Sequence, residues 1–341
     1  IPRSQARIEG ADPAQFPRLS SEPPDAAQRP QTQVMTKHAP IEMAPGAHRV
    51  GELRRTGISR NRLEARDIRR VGRGIVLHPE SELDPAKYVD RCLCVAQALG
   101  EESFLSRRSA ARIWGVPCPL PSGEKIDVAS FSPRRAPRRS DVMGPRVKLG
   151  VLEWVLVDGV RIPSPPDVWC QLAAVLSLPD LVAAGDFLIS GQRIEDGGGD
   201  RDESLVATDQ LAAAVARHNR TAGTALRKRA LPLLRSPVDS PQESKLRLLI
   251  VRAGFPEPLV NCDVPVIGRV LHADLGYPDL KIAIEYEGAQ HFEDPDRVRQ
   301  DADRRERMYE AGWRVLRVMA KDMKEPAEFL RRLASAIREA S

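Results

Sequence analysis

Glu243, Asp274, Glu285, Glu287 and His291 are the side chains of this sequence whose types and spacing could do chemistry together. Carboxylate oxygens are hard donors that suit a divalent cation or a water to be activated, and an imidazole moves protons near neutral pH. Residues 271–291, LHADLGYPDLKIAIEYEGAQH, place three of the acids on two candidate strands. Strand side chains alternate between faces. Ile282, Ile284 and Tyr286 are therefore expected on one face of the second strand, with Lys281, Ala283, Glu285 and Glu287 on the other. On the first strand, Leu271, Ala273 and Leu275 alternate with His272 and Asp274. The turn Tyr277-Pro278-Asp279 joins the two, so Asp274 can approach Glu285. Two carboxylates about 4 Å apart repel by roughly 4 kcal/mol at an effective dielectric near 20. A proton on one acid, a basic side chain beside them, or a hard divalent cation would relieve this.

The elements that must position these groups are legible around them. Ser240-Pro241-Gln242-Glu243 has the form of a helix start, with an N-cap, Pro at the first position and Glu at the third. That capping role alone also accounts for Glu243. Gly254 can close this helix. Strands are expected over 259–264, 269–275 and 280–287. Asp294-Pro295 opens a long helix that Gly312 ends, residues 313–319 form a fourth strand, and 325–340 a last helix. The order is αβββαβα. Asp301 and Arg304 stand three apart on the long helix, the spacing of a surface ion pair.

These residues carry a family resemblance. The order, with an acid on the second strand and acids ending the third, resembles the PD-(D/E)XK nuclease superfamily. IEYEGAQH, then Asp301 and Arg304, then GWRVLRV, is similar to the very-short-patch-repair-like endonuclease family. The resemblance covers roughly the last hundred residues. It implies a restriction-endonuclease-like domain that uses Mg²⁺ or Mn²⁺ to hydrolyse phosphodiesters. Asp274 and Glu285 would hold the metal, and Glu287 would be a further ligand or orient water. His291 would be a base, a ligand or a leaving-group contact. Glu243, Asp301 and Arg304 would support the site. Glu287 stands where the family pattern has Asp and where many superfamily members carry a lysine.

Upstream, residues 1–45 are proline-rich and read as a disordered arm. Residues 46–80 read as two short helices, the second capped by Ser59, followed by two short strands, a small winged helix. Arg54, Arg55, Arg60, Arg62, Arg69, Arg70 and Arg73 decorate it, and such clustering suits phosphate contacts. A solvated basic face is the bland alternative. Residues 81–190 read as a mixed α/β unit. A second basic cluster, Arg134, Arg135, Arg138 and Arg139, lies in a loop, and Trp114, Trp154 and Trp169 read as core anchors. Residues 47–190 are similar to AbiEi-like antitoxins in the basic winged helix, SRRSAARIWGVP and GVRIPSPPDVWCQLA, although Ser164-Pro165-Pro166-Asp167 keeps only the acid of the usual motif. Residues 191–237 read as a linker with one connecting helix over 208–230, whose basic end Arg227-Lys228-Arg229 suits a helix C-terminus. Residues 238–341 complete a multidomain α/β chain.

Composition sets the outer bounds. The chain has 341 residues and a net charge of +5, a mild tilt toward polyanions. The five cysteines are scattered, and CxC at Cys92 and Cys94 has no second pair to complete a zinc site. They read as reduced thiols of a cytoplasmic protein. No apolar run approaches the ~20 residues of a membrane span. The expectation is a metal-dependent nuclease acting on nucleic acid, with DNA the first choice of partner. The rivals are a non-catalytic antitoxin-like or regulatory DNA-binding protein, and a toxin–antitoxin fusion.

Overall fold

The computed structural model describes residues 43–341 apart from 101, 121, 135–138, 149, 158–159, 192–200 and 289–294, and only the backbone at 295–298, 300 and 301. The arm expected over 1–45 thus lies outside the described residues up to 42. Two compact units divide the chain: residues through 168 other than 116–118, and residues 116–118 with 169–341. The boundaries drawn from sequence at 190 and 237 fall inside the second unit. No described helix is long and apolar enough to cross a membrane.

The first unit opens with β1 (Ala47–Arg49), α1 (Val50–Arg55), α2 (Arg60–Leu63), β2 (Arg69–Arg70) and β3 (Ile75–Leu77). Ser59 caps α2 as its sequence predicts, its hydroxyl accepting from the Arg62 N–H at 3.2 Å. The strands form an antiparallel sheet in the order β1-β3-β2. Strand β1 was not foreseen. Leu53, Leu63, Ile68 and Val76 close a small core under the helices.

The rest of this unit contains α3 (Tyr88–Gln97), β4 (Ser103–Leu105), α4 (Arg107–Ile113), β5 (Ile126–Phe131), β6 (Val142–Met143), β7 (Arg146–Val147), β8 (Trp154–Val157) and β9 (Val160–Pro163). Strand β5 is central, antiparallel to β4 and parallel to β6 and β7. The tryptophans anchor cores as expected. Trp114 donates to the Pro163 carbonyl at 3.0 Å, and Trp154 meets Phe104 edge-on with centroids 4.7 Å apart. Of the second basic cluster, Arg134 pairs with Glu102 and Arg139 with Asp141, while residues 135–138 lie outside the described residues.

Helix α5 (Pro165–Leu172) leads into α6 (Leu178–Ser190), α7 (Thr208–Arg217) and α8 (Thr224–Ala230). The single helix expected over 208–230 is therefore two. Gly223 sits between them at φ +86°, where a Cβ would come within 2.6 Å of the Ala173 backbone. Arg227, Lys228 and Arg229 fall in the last turn of α8, as their sequence reading expects. Arg227 is in addition fully buried and donates to the carbonyls of Cys170, Ala222 and His218 at 2.7–2.8 Å.

The remainder of the second unit is α9 (Pro241–Arg252), β10 (Leu259–Val266), β11 (Arg269–Tyr277), β12 (Ile282–Glu287), α10 (Pro295–Glu310), β13 (Arg314–Met319), α11 (Ala320–Lys324) and α12 (Ala327–Ala340). The sheet order is β10-β11-β12-β13. The first two pairings are antiparallel and β12–β13 is parallel, with α10 as the crossover. Leu246 and Ile250 of α9 and Phe329 and Leu333 of α12 pack with Leu275, Ile282, Ile284 and Val318. Met308 and Trp313 pack with Ala283, Val315, Leu271 and Ala273 in a second cluster. Strand β12 is thus covered on both faces, and its second face turns acidic only from Glu285 onward.

A polar clasp joins α6 to α9. Asp186 and Arg247 are both fully buried. Asp186 Oδ2 accepts from Ser244 Oγ at 2.8 Å and from Arg247 Nη2 at 3.1 Å, and Oδ1 accepts from the Arg235 N–H at 2.7 Å. The guanidinium also reaches Glu257 at 2.6 Å and the Leu233 carbonyl at 2.7 Å.

Candidate functional site

Asp274 owes its place to an irregular point in the hairpin of β10 and β11. The two strands keep one register from Leu259↔Gly276 to Val266↔Arg269, but the ladder skips the Asn261–Asp274 position. Asn261 has φ +45°, a left-handed conformation that Asn tolerates better than most side chains. On either side of this point the strands change allegiance. Val260 and Leu275 pack with the α9/α12 cluster, whereas Cys262, Val264, Leu271 and Ala273 pack with the α10 cluster. The regular alternation expected from Leu271 through Leu275 is therefore broken at Asp274. Its Oδ2 accepts the Tyr286 N–H of β12 at 2.7 Å, and the register pairing Leu275 with Ile284 sets Asp274 opposite Glu285.

Helix α9 delivers Glu243 to the same place. Ser240 caps the helix, its Oγ accepting from the Glu243 N–H at 3.3 Å. Glu243 Oε2 in turn accepts from the Asp239 N–H at 3.1 Å, one residue further back than the usual capping box. Glu243 is 5% exposed. Burial, with the negative charge of Asp274 behind it, pushes its carboxyl up to about 8. Burial likewise pushes Asp274 up to about 6; Glu285 and Asp239 add to the shift, while the Tyr286 N–H and Arg304 oppose it. Arg304 of α10 supplies the basic side chain, its Nη1 lying 2.7 Å from Glu285 Oε1 while it also donates to the His272 carbonyl. The polar cavity in front, about 270 Å³, is lined by Asp239, Asn261, His272, Asp274 and Arg304 with Val270 and Leu271.

The structure thus brings together Glu243, Asp274, Glu285 and Arg304. It turns Glu287 elsewhere: that carboxylate is held in a two-point pair by Arg317 of β13, with Arg305 3.6 Å away. Glu287 is accordingly an internal anion of the β12–β13 pair, not a free ligand. His291 lies outside the described residues, and of Asp301 only the backbone, within α10, is described. Sequence reasoning missed Asp239, Asn261 and His272. The signal for Asp239 was its place just before the Ser-Pro helix start. His272 pairs with Asp263 at 2.9 Å across the hairpin.

The donors suit a hard divalent cation in kind, being carboxylates, and the charge of Asp274 raises Glu243 while that of Glu285 raises Asp274. They do not form a ready cage. Among the described residues no three His, Cys, Asp or Glu side chains group at metal-holding distances, and Arg304 already accompanies Glu285.

In the first unit, the seven arginines expected at a nucleic-acid interface divide in two. Arg62 makes a two-point pair with Asp67 at 2.7 and 2.8 Å, and Arg69 donates to the Leu83 carbonyl at 2.9 Å and to that of Ser81. Those two hold the fold together and are withdrawn from the expected surface. Arg54, Arg55, Arg60, Arg70 and Arg73 are exposed. Arg60 pairs with Glu64 at 2.8 Å. Arg54, Arg60 and Arg70 border a hollow of about 210 Å³ floored by Val50, Leu63 and Val76.

No family model matches this sequence. Two curated proteins of Mycobacterium tuberculosis are similar to it: uncharacterized protein Rv2248 of strain H37Rv and uncharacterized protein MT2308 of strain CDC 1551. Each is 26% identical over 182 residues, 52% of this chain and 62% of the relative. The match thus spans less than two thirds of the relatives' length, and neither name assigns an activity.

Proposed function

We propose that the chain is a metal-dependent nuclease-like protein that cleaves phosphodiesters in nucleic acid, with DNA the first candidate. Its second unit would carry a restriction-endonuclease-like site, and residues 46–80 a winged-helix nucleic-acid contact. The observation that carries the reading is the convergence of Asp274, Glu243 and Glu285 beside a polar cavity, two of them with raised pKa values. Acids crowded at this cost are expected where a cation or a reacting group relieves the repulsion.

In this reading Asp274 and Glu285 would hold Mg²⁺ or Mn²⁺, with Asp239 and Glu243 close by. A bound divalent ion supplies charge for the phosphorane-like transition state and acidifies an attacking water. Arg304 reaches the cavity wall and offers a phosphate a cation. Glu243, with a carboxyl that titrates near neutral pH, can pass a proton at its Oε atoms. The Tyr286 N–H fixes Asp274 in its rotamer, so its second oxygen is presented without reorganisation.

A specific observation favours a second reading, a non-catalytic binding protein of antitoxin-like or regulatory type. Arg304 already pairs with Glu285, so one acid of the site has a cationic partner within the chain. The purified chain incubated with supercoiled plasmid, linear duplex, single strands and RNA in Mg²⁺ or Mn²⁺ separates the two. The nuclease reading expects cutting that EDTA and Asp274→Ala abolish. Binding without cutting, equal with and without EDTA, would select the second reading.

A further inference from the structure

The tip of the β10–β11 hairpin is built against the usual rules for an exposed turn. Val266 pairs with Arg269, leaving Ile267 and Gly268 as a two-residue loop. Gly268 has φ +80° and fits its place. Such loops are normally filled by Gly, Asn or Asp, yet the other residue is an isoleucine, 92% exposed. An apolar side chain so displayed gains almost nothing from packing against the described residues. Val270 beyond it is 49% exposed, and Arg269 between them is exposed too. The tip therefore offers an apolar point with a cation at its base.

Its position gives the point a use. Val270 lines the cavity that Asp274 and Arg304 line. Ile267 is three residues from Val270, at most roughly 11 Å along the chain. Strand β11 pairs with β12 only over Leu275–Tyr277, so the hairpin runs on past the end of that pairing as a two-stranded ribbon. Ribbons of this width enter a duplex groove, and Ile is among the side chains that wedge between base steps. We infer that the β10–β11 tip is a nucleic-acid wedge: Ile267 enters a base step a few nucleotides from the phosphate at the cavity, and Arg269 holds the adjoining backbone. The inference rests on nucleic acid being the partner, as proposed above, but not on cleavage.

The test uses the full-length chain in EDTA with duplexes that carry 2-aminopurine at successive positions, read by anisotropy for binding and by emission for unstacking. Wild type should bind and raise emission severalfold at one or two neighbouring positions. Ile267→Ser should lose most of that rise and bind about tenfold more weakly, the scale of one buried aliphatic side chain. Ile267→Leu should keep both. Arg269→Gln should weaken binding at all positions alike and reduce the salt slope by about one. Binding without any rise in emission, or Ile267→Ser behaving as wild type, overturns the wedge and leaves the partner assignment standing. No binding to any duplex overturns both.

Discussion

Glu243 and Asp274 pit burial against ionisation, and that competition has a readable sign. The Glu243 carboxyl is raised from its ordinary value to about 8, so between those limits the folded state holds a proton that the unfolded state has released. Stability is then fully present below about pH 4.5 as far as this group is concerned, and falls as pH rises toward 8. In metal-free buffer Glu243→Gln should flatten the decline. The variant should match wild type near pH 5 and exceed it near pH 8 by about 1–3 kcal/mol in urea titrations. A wild-type stability that rises over this interval, with the variant unchanged beside it, would contradict the assignment. Asp274 adds a smaller loss in the same direction between its ordinary value and about 6. Arg304 lowers the Asp274 value, so Arg304→Met should move that part of the pH dependence upward.

At the scale of elements, the clasp between α6 and α9 gives the largest expected effect. Asp186→Ala would leave the Arg247 guanidinium buried with only Glu257 as a charged partner. It should cost about 3–5 kcal/mol in chemical denaturation. Asp186→Ala combined with Arg247→Leu should cost less than the single change, because the stranded charge is gone. The clasp also means that a fragment beginning at residue 238 lacks Asp186, the Leu233 carbonyl and the Arg235 N–H. It should therefore be less stable than one beginning at 169. Much of this level was legible. The Ser240 cap, the start of the long helix at Pro295 and the apolar pattern of 313–319 each announced an element, because local preference and burial agree there. The hairpin irregularity did not show itself, since Asn261 and Asp274 come opposite each other only across the hairpin, 13 residues apart in sequence. The basic end of α8 was legible, but the three carbonyls that make Arg227 a buried donor come together only in the tertiary structure. Glu287 was grouped with Glu285 by strand period and by the resemblance, while its arginine partner comes from a strand 30 residues later.

For the whole molecule, charge is the property that should reach a measurement first. Net charge is +5, but the structure divides the arginines of residues 46–80 into those that face outward and those that hold the unit together. Arg54→Ala, Arg55→Ala and Arg73→Ala combined should weaken nucleic-acid binding evenly across sequences and reduce the slope of log affinity against log salt by up to about three, one per phosphate contact. Arg62→Ala should act on stability instead, because it removes a pair whose two side chains are each only 16% exposed. An unchanged salt slope in the triple variant, measured by anisotropy over a range of salt, would place the polyanion contact elsewhere. The division between exposed and internal arginines was beyond reach of the sequence, where all seven have the same signature.

The irregular point at Asn261 has one more effect, and it concerns neighbours rather than substrates. Strand β10 borders its sheet, so its outer rim could be extended by a strand from another molecule. That rim is a poor template. Asn261 turns its backbone into a left-handed conformation, Pro265 has no N–H to offer, and Asp263 stands exposed between them. The residue that interrupts the hairpin beside Asp274 thus also guards against fibre-like association. Replacing Asn261 with Val and Pro265 with Thr should give a chain whose light scattering grows with concentration and time, where wild type stays clear.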